Sequence, residues 1–421
     1  MKVRIKSLIK AQIYILLIVG ILNSILGVPS TVKYLMDINF LVIFGYSLVK
    51  KKIFVECESE TKGILSYWQC YIFVIVLIGF FKFVPIGQLL WGIRNTYFFV
   101  GFLALSVYYL SAEDIETLMQ NVVRFQVLNV ICGLYEYYVL NVHNDYLGGI
   151  FGVTQGCNGL LNMYLIIIVA YVVSRYMKGK ESLSKLGWIT VSSIYMAAIS
   201  ELKIFYIELV VIIALAVLIG KKSYKTIIIT FAIAIVLVAG LNIMVSVNQN
   251  SIKYMLNYEN LIGYGSRTDY GNGDIRMNRL TAIAQVDTIF FDNSFWNRLF
   301  GFGLGSCESS ATFSWCNSEF ADRYSYLQYR NFGSSMIYLE TGLVGLIGYM
   351  FSFILIFIDA QKKKAVLQNY DDWATFAQIV SVMCIANIFY DSALKREIAY
   401  LAFVAIGGYI IVTKAIVRRD S

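Results

Sequence analysis

Between residues 11 and 414 the chain returns twelve times to an apolar run of roughly bilayer length. The runs lie near 11–27, 32–49, 68–84, 93–111, 122–142, 156–175, 186–200, 203–219, 226–246, 334–358, 373–391 and 398–414. About 20 apolar residues cross a hydrocarbon core as a helix, which satisfies its own backbone polar groups where no water can. The expected fold is therefore all-α: a polytopic transmembrane helical protein of about twelve spans. With 58% hydrophobic residues, 15% charged residues and a mean hydropathy of +0.66, a soluble domain could not hide this surface. Two prolines in 421 residues, Pro29 and Pro85, suit long unbroken helices. The 31 tyrosines suit many membrane interfaces.

Charge sets the expected orientation. Lys50 to Lys52, then Arg175, Lys178, Lys180 and Lys185, then Lys221, Lys222 and Lys225, Lys362 to Lys364, and Arg418 with Arg419 follow the even-numbered runs. With both termini cytoplasmic, these clusters all fall inside, as the positive-inside bias requires. Lys395 and Arg396 fall outside and are an exception. The net charge of +8 is spread over short loops, so no nucleic-acid surface is expected. Lys2, Arg4, Lys6 and Lys10 precede the first run without a small-x-small cleavage site, which reads as an uncleaved span.

Three regions follow: spans one to nine over 1–246, a large extracytoplasmic loop over 247–333, and spans ten to twelve over 334–421. The loop has 87 residues, and connections of that length are usually functional or disordered. Order is expected, because "GDIRMNRLTAIAQVDTIFF" predicts an amphipathic helix capped by Asp274. Its stripe would be Ile275, Leu280, Ile283, Ala284 and Ile289, buried on the membrane helices.

Arg276 and Arg279, three apart, would project from one side of that helix and suit a diphosphate, which guanidinium grips in bidentate fashion. A solvated face, or pairing with Asp274 and Asp287, is the alternative. Arg94 and Lys203 stand at outer helix ends, against the orientation rule; an anionic substrate is one reason and snorkelling to lipid phosphates another. Together the four could line one outward cavity. Glu201, Glu340 and Asp391, on the same side, could each be a general base or an ion-pair partner, and His143 could move protons.

The run "NRLFGFGLGS" places Gly301, Gly303 and Gly305 before Ser306, but it is no Walker loop and no dinucleotide fingerprint. Gly342, Gly345 and Gly348 would give span ten a smooth helix-packing face. The only histidine is His143 and the seven cysteines form no CxxC, so no metal site is expected. Cys307 and Cys316 share the loop, as a disulfide or as two thiols.

In order and spacing, "RMNRLTAI…NRLFGFGLGS" followed by "NFGSSMIYLETGLVGLIGY" resembles the Wzy-type O-antigen polymerase and ligase superfamily. "GGIFGVTQGCNGLLNMYL" is similar to its middle-span segment at Gly152 and Asn158, and "SELKIFYIELVV" to its polar–basic junction, with Lys203 in place of an arginine. Together these cover about residues 90 to 350.

The resemblance implies a metal-independent lipid-linked glycosyltransferase needing no cofactor, in the plasma membrane of a bacterium. It would polymerise undecaprenyl-diphosphate-linked oligosaccharide repeats into O-antigen, capsule or exopolysaccharide at the outer face. Arg279, Arg276, Lys203 and Arg94 would stabilise the departing diphosphate. Gly301, Gly303, Gly305, Ser306, Asn331, Glu340 and Asn158 would contact substrate. Membrane lipids, a chain-length regulator and a flippase of the same pathway are the expected partners. Ligases of the superfamily carry a histidine nine residues before the glutamate; here that position is Asn331, which favours polymerase over ligase and leaves the general base unassigned. A flippase would also explain twelve spans and cationic residues, but gives no reason for the long outer loop.

Overall fold

The computed structural model describes residues 4–50, 59–220 and 277–420, and among them every regular element is helical. Eleven helices of 15 residues or more form the body: α1 Ile5–Ser24, α2 Leu35–Val49, α3 Ser59–Phe81, α4 Ile86–Tyr109, α5 Ala112–Tyr138, α6 Cys157–Met177, α7 Leu183–Ile199, α8 Lys203–Ile219, α12 Gly333–Leu367, α13 Asp371–Tyr390 and α14 Ala399–Asp420. Among the described residues, three short α-helices lie between α8 and α12: α9 Ala282–Ile289, α10 Phe295–Phe300 and α11 Glu319–Tyr324. Each apolar run of the sequence falls on one long helix, except 226–246, which lies outside the described residues. Seven helical stretches among the described residues are long and apolar enough to cross a membrane.

Local sequence sets the helix starts. Pro85 precedes α4, where a missing N–H costs nothing. Ser111 and Asp114 form a reciprocal capping box on α5, and Ser182, Ser294 and Ser318 accept from backbone amides at the starts of α7, α10 and α11. The bundle is built around α6, whose apolar stretch is 89% buried, with α7, α8 and α13 packed against it. In contrast, α2 and α3 turn much of their apolar surface outward, Leu41, Val42, Phe73 and Phe80 among it. Lipid covers such a face without cost.

The two ends of the bundle differ. At one, Arg175 pairs with Glu116 at 2.8 Å, Lys178 with Asp371 at 2.6 Å and Lys180 with Asp372 at 2.7 Å. Lys6 and Lys10 meet Asp114 there at 3.3 and 2.5 Å. At the other end, residues 277–332 fold down onto the turns between helices.

Two local expectations are corrected. The loop helix begins at Ala282, so Arg279 sits in the preceding turn and not on the helix. Gln285 causes this: its side-chain oxygen takes the Thr281 hydroxyl and the Asn278 amide, closing the turn ahead of the first helical residue. The buried face is accordingly Met277, Ala282 and Val286, while Leu280 and Ile289 are 71% and 46% exposed. Asp274, Ile275 and Arg276 lie outside the described residues.

The second correction concerns Gly342, which belongs to no helix face. At φ 63° it breaks α12 just after Glu340, because the Leu299 backbone crosses there, 2.4 Å from where a Cβ would stand. Beyond the break, Gly345 and Gly348 do make close packing possible: Tyr71 and Tyr67 of α3 donate to their carbonyls at 2.7 Å.

Candidate functional site

The turn between α1 and α2, the start of α4, the loop and the α13–α14 connection enclose a cavity of about 740 Å³. Five bases reach it, Lys33, Arg94, Arg330, Lys395 and Arg396, against the carboxylates Glu308, Asp322 and Glu397. Asp37 and Glu340 stand behind that wall, each holding one of the bases.

Arg94 is fixed. Its Nε and Nη2 donate to Asp37 Oδ2 at 3.1 and 2.8 Å, its Nη1 donates to Asn95, and its guanidinium packs on the Tyr34 and Trp91 rings. Lys395 is fixed more tightly still. Its ammonium, only 6% exposed, sits 2.9 Å from Glu308 and 3.0 Å from Glu340, which are themselves 3% and 1% exposed. Burial alone would push the Lys395 pKa down, but the two carboxylates outweigh it and hold it above the ordinary lysine value.

The remaining bases are less committed. Lys33 lies 3.5 Å from Glu397, and Arg330 donates to the Ser309 hydroxyl and, at 2.9 Å, to its carbonyl; both side chains are 39% exposed. Arg396 donates to the Gly156 carbonyl at 2.6 Å. These three are the cations most able to turn toward an anion.

Burial works against the charge on Glu397, yet Lys33, Arg94 and Arg396 bring its pKa down to about 2 from the ordinary 4.5. Asp114, at the opposite end, is likewise brought to about 2 from 3.8, the Lys10 contact overcoming burial. A depressed carboxylate stabilises the fold above its unfolded pKa and loses that contribution as pH falls toward its folded pKa. The thermal midpoint in detergent should therefore drop between about pH 4.5 and pH 2, and Glu397→Gln should flatten that slope. An unchanged slope in the variant would count against this role for Glu397.

The expected site residues separate. Arg94 and Asn331 line the cavity, and Glu340 lies one contact behind it through Lys395. Arg279 does not line it: its Nε donates to the Tyr390 carbonyl at 3.1 Å, and its guanidinium stacks on that ring at 4.5 Å. Nearby, the Ala393 amide donates to Asp391 Oδ1 at 2.7 Å. Lys203, at the first position of α8, lies away from the lining, and Asn158 donates to Asp145 at 2.8 Å. His143 packs edge-on against Tyr137. Arg276 lies outside the described residues.

The glycine run is closed on the protein itself. The amides of Gly301, Phe302, Gly303 and Ser306 donate to Asn297, Leu339, Glu340 and Gly303 carbonyls, and the Gly305 amide donates to Glu340 Oε1 at 3.2 Å. The room these glycines leave is filled by chain: Glu340 and Leu339 at Gly301, Val84 and Lys82 at Gly303, Gln88 at Gly305. Ser306 faces Cys307, which is a free, buried thiol, as is Cys316. Among the described residues, no group of three or more His, Cys, Asp or Glu side chains is placed to hold a metal ion.

Sequence reasoning missed Lys395, Arg396, Arg330, Glu308 and Glu397. A signal existed for the first two, since a base at an outer helix end was the reason for choosing Arg94 and Lys203. Matched against models of protein families and against curated proteins, the chain finds no counterpart.

Proposed function

We propose that this protein polymerises lipid-linked oligosaccharide repeat units at the outer face of a bacterial plasma membrane. In this reading it has twelve spans, cytoplasmic termini and residues 247–333 outside. The donor is a glycan on undecaprenyl diphosphate and the acceptor is a sugar hydroxyl of the next lipid-linked unit. The observation that carries the reading is the cavity wall, where Lys33, Arg94, Arg330, Lys395 and Arg396 converge beneath the folded loop. Positive charge fixed where a diphosphate departs stabilises the transition state, and a preorganised donor of this kind is worth about 10²–10³ in rate. Arg94 would supply a fixed charge, with Lys33, Arg330 and Arg396 adjusting to the phosphates.

Purified protein in liposomes, supplied with undecaprenyl-diphosphate-linked repeats on the loop side, should yield a ladder of polymer. Arg396→Ala should cut that yield by about 10²-fold or more. If wild-type protein makes no polymer but moves the lipid-linked repeats across the bilayer, the flippase reading replaces this one.

A further inference from the structure

Which group takes the proton from the acceptor hydroxyl is settled neither by the family pattern, whose histidine position is Asn331 here, nor by His143, which packs on Tyr137. Three carboxylates line the cavity. Glu397 is held as an anion by Lys33, Arg94 and Arg396 around it, which makes it a poor proton acceptor. Asp322 is exposed at the start of α11, on the rim. Glu308 is different. Its residue is 2% exposed, and it shares a single ammonium, Lys395, with a second buried carboxylate, Glu340. With Arg330 4.0 Å from its other oxygen, Glu308 and Glu340 share two cations, one per carboxylate, whereas Glu397 and Asp37 share three, Lys33, Arg94 and Arg396.

The backbone of Glu308 is also fixed. Its amide donates to the Gly305 carbonyl at 3.3 Å, and its carbonyl accepts from the Ser318 amide and hydroxyl, both at 3.0 Å. A base must be held on such rigid support to meet its proton in register.

We propose that Glu308 is the general base of the transfer, with Lys395 and Glu340 as positioning residues behind it; this rests on the polymerase reading above. The acceptor hydroxyl oxygen bonds to the donor's anomeric carbon, and the anomeric carbon–oxygen bond to the diphosphate breaks. Its electron pair leaves with the lipid diphosphate, and the hydroxyl proton passes to the Glu308 carboxylate and then to water.

In the liposome assay, Glu308→Gln should lower kcat by about 10²–10⁴-fold while KM for the lipid-linked donor stays within about twofold. A kcat within about threefold of wild type, or a loss confined to KM, overturns the assignment. Should Glu308→Gln fail to fold, Glu308→Asp decides. It keeps the charge beside Lys395 but withdraws the carboxylate by one methylene, so about a tenfold or greater fall in kcat at unchanged KM supports the base, and wild-type kcat overturns it. Absence of polymer from the wild-type protein is a distinct result, and defeats the polymerase reading itself.

Discussion

Replacing Lys395 with alanine is expected to destabilise the folded protein by about 3–5 kcal/mol, the usual cost of leaving a buried ion pair without one partner. Here the cost falls on two carboxylates together, Glu308 and Glu340, both nearly inaccessible to water. With the ammonium gone, one acid must take up a proton or water must enter from the cavity to solvate the pair. Unfolding in detergent, followed by circular dichroism against added denaturant, measures the loss. The triple variant Lys395→Ala, Glu308→Gln, Glu340→Gln should recover much of it, because no uncompensated charge is then buried. A loss below about 1 kcal/mol in the single variant, the scale of an exposed pair, would mean that the cluster is wetter than its geometry indicates.

The second large effect is expected at Gly305. An alanine Cβ there would stand 2.0 Å from the Gln88 carbonyl oxygen and 2.5 Å from its carbon, on a backbone at φ +87°. Both obstacles are main chain, in the first turn of α4, so no side-chain rotation relieves them. Overpacking and left-handed strain, each about 1–3 kcal/mol, add to an expected loss of about 3–5 kcal/mol for Gly305→Ala. The turn would be driven off α4, and Glu340 would lose the Gly305 amide. Gly27 separates the two contributions: it too has positive φ, at +66°, but nothing stands within 4 Å of an added Cβ. Gly27→Ala should therefore show only the strain, about 1 kcal/mol. Equal losses at the two positions would remove the packing part of the explanation.

The helical body was readable because each long helix carries its own apolar signal, and the serine and proline starts of α4, α5 and α7 are equally local. The glycine run was readable as a place of close approach, but not as an approach to protein. That depends on where Gln88, Val84 and Glu340 arrive, and no local pattern encodes it. The same holds for the break at Gly342, whose spacing with Gly345 and Gly348 matches a helix face until Leu299 crosses it. In the cavity, Arg94 could be chosen because its position violates a rule visible in the sequence. Glu308 could not, being one of eight acids in the loop, distinguished only by a lysine 87 positions further on. Arg279 was chosen for its helix partner at Arg276, yet a glutamine four residues beyond the turn decides where the helix begins.

The cluster around Lys395 also bears on how the chain is made. Glu308 and Glu340 emerge from the ribosome before their counter-ion, which arrives only with the connection between the last two helices. Until that connection is inserted, Glu340 has no cation beside it and Glu308 has only Arg330, 4.0 Å away. Completion of the cavity wall is thus tied to delivery of the final hairpin, which brings Lys395 to Glu308 and Glu340.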